Sequence, residues 1–174
     1  MPLFVVSGVF MTVGAALLTA YLKPSTPQSY IYEFTVITAV GSGITLQIGY
    51  AVATLKAPKY AGDALSLQNV SQIGGSVIAL VIAGQVFQSS AIHNLNQVLA
   101  GTGYTDEDIQ SIVAGAQSKL FEELSGPLRE AAVAAITEAM QKSFICVCVG
   151  GAVLTVAGLL MKREKLFGEI QVGA

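Results

Sequence analysis

Apolar residues in this chain come in long unbroken runs rather than in amphipathic repeats. Met1–Leu22, Phe34–Leu55, Ala64–Ile92 and Ser143–Met161 contain no Asp, Glu, Lys or Arg. About 20 helical residues cross a bilayer core of roughly 30 Å. In hydrocarbon every backbone N–H and C=O must be paired within the chain, so each run is predicted to be a transmembrane helix. A cleaved signal peptide at the amino end is the weaker reading, because Met1–Leu22 is apolar from its start and has no basic leader.

The segment 93–142 has a different pattern. Thr105-Asp-Glu-Asp108 reads as a helix start, with a Thr cap and Asp108 in the place of a capping-box acid. Ile109, Ile112, Val113, Ala116, Leu120 and Leu124 then recur at helical spacing. Ser125-Gly126-Pro127 ends that helix and starts another, whose apolar face is Leu128, Val133, Ile136, Met140 and Phe144. No breaker separates Pro127 from Met161, so this second helix is expected to run into the last membrane run. The fold class expected is therefore all-α and integral to the membrane, with four transmembrane helices and a helical outer loop.

Charge sets the orientation. Lys56 and Lys59 lie between the second and third runs, and Lys162-Arg163-Glu164-Lys165 follows the fourth. Short Lys- and Arg-rich loops stay cytoplasmic. Both clusters fit if both termini are cytoplasmic, with 93–142 outside and 162–174 as a cytoplasmic tail.

Composition narrows the function classes. Of 174 residues 53% are hydrophobic and only 11% are charged, against about 25% charged in a soluble domain. The net charge is −2 with no basic patch, which argues against nucleic acid as a partner. The two cysteines, Cys146 and Cys148, sit in the last run without a His or carboxylate beside them, a poor metal site. No metal or other cofactor is expected. No His cluster, carboxylate pair or nucleophile–base set points to an enzyme. His93 is alone and reads as an interfacial residue rather than a proton relay.

What remains is uncharged polarity at membrane depth. Gly43, Gln47, Tyr50 and Thr54 share one face of the second run, and Gln68, Gln72 and Ser76 share one face of the third, with Asn69 beside them. Such groups either pair across helices or line a water-filled cavity. The cavity candidates are Gln47, Tyr50, Gln72 and Ser76. Gly41, Gly43, Gly74 and Gly75 are candidates for close helix packing or a hinge. The runs contain no carboxylate, so no proton-coupling acid is evident.

Together these features resemble a known family. Gly41-Ser-Gly-Ile-Thr-Leu-Gln47, Asp63-Ala-Leu-Ser-Leu-Gln-Asn69, Gln72-Ile-Gly-Gly75, and Ser125-Gly-Pro-Leu-Arg-Glu130 through Phe144 to Met161-Lys-Arg-Glu-Lys-Leu-Phe167 are similar to the carboxyl end of fungal toxin and drug efflux transporters. These form the fourteen-helix drug:proton antiporter branch of the major facilitator superfamily. The resemblance implies that the four runs are the last four helices of such a transporter, part of its carboxyl-terminal bundle. The second would line the central cavity, the third the cavity and the contact between bundles, and the first and fourth would support them. It implies export of small, mostly apolar toxins, drugs or secondary metabolites by proton antiport, with the bilayer, the solute and the remaining helices as partners. The plasma membrane is the expected location and the vacuolar membrane the alternative. The amino-terminal bundle, with its coupling acid and arginine, has no counterpart here, so the chain is expected to be a fragment, a truncated product or a remnant. The competing class is a non-transporting four-helix membrane scaffold. A tetraspanin-like one would carry a disulfide-bonded outer loop, but 93–142 has no cysteine.

Overall fold

A computed structural model describes residues 2–114 and 124–161, all of whose regular structure is helical. Helix α1 covers Pro2–Tyr21, α2 Gln28–Lys56, α3 Ala61–Val98, α4 Asp106–Ala114 and α5 Gly126–Leu160. A single 3-10 turn, Pro58–Tyr60, joins α2 to α3. Four helices, α1, α2, α3 and α5, are long and apolar enough to cross a membrane. Met1, residues 115–123 (with Ala116 and Leu120) and the tail 162–174 lie outside the described residues.

The helices overrun the apolar runs that mark them. α2 begins at Gln28, six residues before Phe34, because Pro27 starts it and nothing between them breaks it. α3 continues past Ile92 to Val98, and α5 starts at Gly126, well before Ser143. At 1.5 Å per residue, the 38 residues of α3 reach about 57 Å and the 35 of α5 about 52 Å. Both exceed a bilayer core, and the described residues of 93–142 are helical at 93–98, 106–114 and 126–142. The glycines Gly101 and Gly103, at φ of 79° and 85°, turn the chain from α3 to α4, a conformation that a side chain would resist.

α1 is the spine. It packs along both α2 and α5, and it does so backbone to backbone. A methyl group on Gly8 would stand 2.7 Å from the Thr155 nitrogen and 2.9 Å from the Gly151 carbonyl oxygen. One on Gly151 would stand 2.8 Å from the Thr12 nitrogen and 3.1 Å from the Gly8 oxygen. Hydroxyls nearby are turned onto their own helix: Thr12 donates to the Gly8 carbonyl (2.8 Å), Thr155 to Gly151 (2.8 Å) and Thr38 to Phe34 (3.0 Å). The buried Ser7 crosses to α2, donating to the Gly41 carbonyl at 2.6 Å and hydrogen-bonding Thr45.

Among the described residues, α3 is held at its start and along its second half. One end meets the last turns of α2. The other runs along α5, where Ser143 Oγ donates to the Ala83 carbonyl (3.3 Å) and the buried Asn94 Nδ2 to the Ala135 carbonyl (3.2 Å). Between these anchors Ile73 to Ile82 are exposed without exception.

The hydrophobic core lies outside this bundle. Leu95, Leu99, Ile109, Ile112, Leu124, Ala132 and Ala135 close on one another where α3, α4 and the start of α5 meet. Ile92, Val98, Tyr104, Val113, Leu128, Val133 and Ile136 pack around them. α4 is fixed by a reciprocal cap. Asp108 Oδ2 accepts from the Thr105 N–H (2.9 Å) and hydroxyl (2.8 Å), and the Asp108 N–H donates to Thr105 Oγ1 (3.3 Å).

Candidate functional site

The polar faces of α2 and α3 meet at the end where the 3-10 turn joins them. Their antiparallel course from that turn brings residues about equally far from it into register, so Tyr50 comes opposite Asn69. The Tyr50 hydroxyl donates to Asn69 Oδ1. One helix position away, a methyl group on Gly49 would lie 2.7 Å from Gln68 Nε2, so the absence of a side chain at Gly49 is what admits the Gln68 amide. Thr54, on the same face as Tyr50, instead caps its own helix, donating to the carbonyls of Tyr50 (3.1 Å) and Ala51 (3.0 Å).

One turn further from the turn lies Gln72. Its Oε1 is buried and has no hydrogen-bond partner among the described residues. Beyond it the helices separate. Gln47 on α2 and Ser76 on α3 are both exposed. The structure therefore joins Tyr50 with Asn69, places Gln68 against Gly49 and Gln72 beside them, and leaves Gln47 and Ser76 on open faces. No charged side chain occurs on either face between Lys56 or Asp63 and the far ends of the apolar runs.

The four glycines singled out by sequence sit in two settings. Gly41 is buried, and a methyl group there would be 2.8 Å from both the Met11 nitrogen and the Ser7 oxygen of α1. Gly43, Gly74 and Gly75 have nothing within 4 Å of such a methyl group. Ser7 carried no sequence signal of its own: it is one of several hydroxyls in its apolar run, and its partners lie more than thirty residues distant. The side-chain-free face at Gly49 becomes legible only when Gln68 is set opposite it.

At the opposite end of the bundle a groove of about 520 Å³ opens between α3 and α5, lined by His93, Gln97, Glu138 and Lys142 over an alanine floor. His93 Nε2 and Gln97 Nε2 are 3.1 Å apart, and Lys142 pairs with Glu138 at 3.2 Å. In the cap above, hydrogen bonds from the Thr105 N–H and then its hydroxyl hold the Asp108 carboxyl below the usual carboxylate range. Cys146 and Cys148 are free thiols, and Cys148 Sγ lies 3.7 Å from the Thr12 carbonyl oxygen. Among the described residues no group of three His, Cys, Asp or Glu could hold a metal ion.

No protein-family model and no solved structure matches the chain. Curated proteins do. The chain is 33% identical over 163 residues to the MFS-type transporter patC of Penicillium expansum, covering 93% of this chain and 30% of that protein. It is 34% identical over 168 residues to the MFS-type transporter pgmG of Aspergillus terreus, covering 96% and 30%. To the phomenoic acid biosynthesis cluster MFS-type transporter of Leptosphaeria maculans it is 32% identical over 185 aligned positions, covering 96% and 29%. The chain thus spans about 30% of the length of the curated relatives it matches. These relatives are named as transporters and efflux pumps, not as enzymes.

Proposed function

We infer, taking homology to fungal major facilitator efflux transporters as the premise, that this chain forms part of a secondary transporter exporting small, mostly apolar solutes, with α2 and α3 lining the solute path. The observation that carries this is the asymmetry of packing. α1 is packed backbone to backbone by glycines on both α5 and α2, whereas α2 and α3 meet only near the turn that joins them, where Tyr50 and Gln72 lie, and beyond it carry the uncharged Gln47 and Ser76 exposed. Membrane helices keep such side chains where they meet other helices or a water-filled cavity. Further helices are needed to close that cavity, because alternating access moves two bundles about a site at the midplane. They are also the partners that would cover the exposed middle of α3.

The place of one relative in a biosynthesis cluster favours a secondary metabolite as cargo. The family resemblance favours proton antiport, with the coupling acid supplied by the helices beyond these four. The lysines at 56 and 59 favour a topology with both ends of the chain in the cytoplasm, in the plasma membrane.

The test is the size of the native product and the phenotype of its loss. A carboxyl-terminal tag at the gene's own locus should give a membrane band several-fold heavier than 18.0 kDa, and deletion should raise cellular retention of exported compounds. A band near 18.0 kDa with no co-purifying membrane partner would sink the transport reading and leave a scaffold or a remnant.

A further inference from the structure

Along the α2–α3 wall most polar groups are engaged within the chain. Tyr50 is bonded to Asn69. The hydroxyls of Thr54 and Ser66 donate to carbonyls of their own helices. The Gln68 amide lies against Gly49. Gln72 Oε1 differs: it is shut away from solvent, and no donor among the described residues reaches it. A buried amide oxygen in that state is costly, and where α2 and α3 part enough to admit a donor, the molecule bringing it gains the missing hydrogen bond. The surroundings say which donors qualify. The wall has no counter-charge between Lys56 or Asp63 and the far ends of the apolar runs, so an ionic solute would leave a charge unpaired in a medium where that is prohibitive. One turn away on the same face of α3, Gln72 is flanked by Gln68, Asn69, Gly75 and Ser76, all of them uncharged.

We propose that Gln72 Oε1 is the acceptor that reads a neutral hydrogen-bond donor on the exported solute, so that this wall selects uncharged, otherwise apolar molecules carrying a hydroxyl over the same molecules with that hydroxyl blocked. The proposal rests on the export reading above and assigns a substrate class to the same site. Sites that bind a substrate hydroxyl discriminate by leaving their own polar group unpaired when the hydroxyl is missing.

The test uses a matched neutral pair, testosterone and its 17-O-methyl ether, loaded into host cells with the gene intact at its own locus, deleted, or carrying Gln72→Met. Cell-associated steroid is followed by mass spectrometry, and tagged protein in the membrane is quantified in each strain. Intact cells should clear testosterone faster than the ether by about three- to tenfold, the worth of one hydrogen bond. Gln72→Met preserves side-chain length but offers no amide oxygen. It should abolish the preference while ether clearance persists, and that persistence reports a folded, working transporter. Gln72→Asn, which keeps an uncharged amide oxygen, should retain more of the preference than Gln72→Met. Equal clearance of both steroids by intact cells, or a preference that survives Gln72→Met, overturns the assignment and leaves export standing. Retention of both steroids unchanged by deletion of the gene overturns the assigned substrate class, and the export reading falls with it only where the native product is also a band near 18.0 kDa without a membrane partner.

Discussion

The cap and the bundle are built from the same chain with opposite materials. The cap core consists of Leu95, Leu99, Ile109, Ile112 and Leu124, with alanines as floor. The bundle buries Ser7, Gly8, Gly14, Ala15, Gly41, Gly151 and Gly158 together with Leu18, and most of its large side chains, such as Val36, Val81 and Val153, face outward. The solvent explains the inversion. In water, removing a leucine is worth about 1.5–3 kcal/mol, and a leucine core such as the cap's suits that solvent. Within the bilayer, lipid is as apolar as leucine, so large side chains gain little by turning inward. Helices then adhere through close backbone approach and hydroxyl bonds, which require small residues at the seam.

The strongest way to break that comparison is Gly151→Leu. Its side chain would have to start within 3 Å of backbone atoms of α1, and the two helices cannot stay in register around it. Loss of nearly all folded protein from the membrane is expected, read as tagged band against transcript, and normal accumulation would show that the seam is not where the bundle is held. Next comes Ile112→Ala in the cap, which should lower stability by about 2–5 kcal/mol. Its counterpart Ile78→Ala, at a site 62% exposed on α3, should change thermal stability in detergent by less than about 0.5 kcal/mol. Equal losses at the two positions would erase the distinction between cap and bundle.

Smaller effects sharpen the picture. Thr105→Ala removes a side-chain cap and should loosen α4 by about 1 kcal/mol, seen as faster amide exchange in 106–114 and not in α1. The Asp108 carboxyl is held low by Thr105, so its contribution is in full force above the ordinary carboxylate value and is lost as pH falls through the lowered one. Exchange in α4 should therefore accelerate only below about pH 4, and Thr105→Ala should remove that acid step. Smallest of all is Gly75→Ala. Its methyl group would meet nothing, and the gain in helix propensity should leave thermal stability unchanged or raised by up to about 1 kcal/mol. A marked fall would mean that backbone packs against that position.

The sequence made the helices legible because their apolar runs are long and uncharged, and it made the start of α4 legible because a Thr-x-x-Asp box is a local signal. Boundaries were less visible. In α3 the amides of 94–97 end the apolar pattern without ending the helix, whereas the extent of α5 was legible, because Ser125-Gly126-Pro127 marks its start and nothing breaks it before Met161. At the candidate site, the polar stripes were readable from spacing alone. Which members meet was not: Tyr50 found Asn69 rather than Gln72, and Gly41 turned toward α1 while Gly43, two residues on, faced open space. Pairings across helices depend on register and roll, and no residue in either stripe encodes these by itself.

The uncovered stretch of α3 has a mechanical meaning. A long rod clamped near both ends and free between them is a beam. Load applied at midspan is carried to both supports at once, here the Tyr50–Asn69 contact on one side and the Ser143–Ala83 bond on the other. Whatever presses on Ile73 to Ile82 therefore bears on α2 and α5 together.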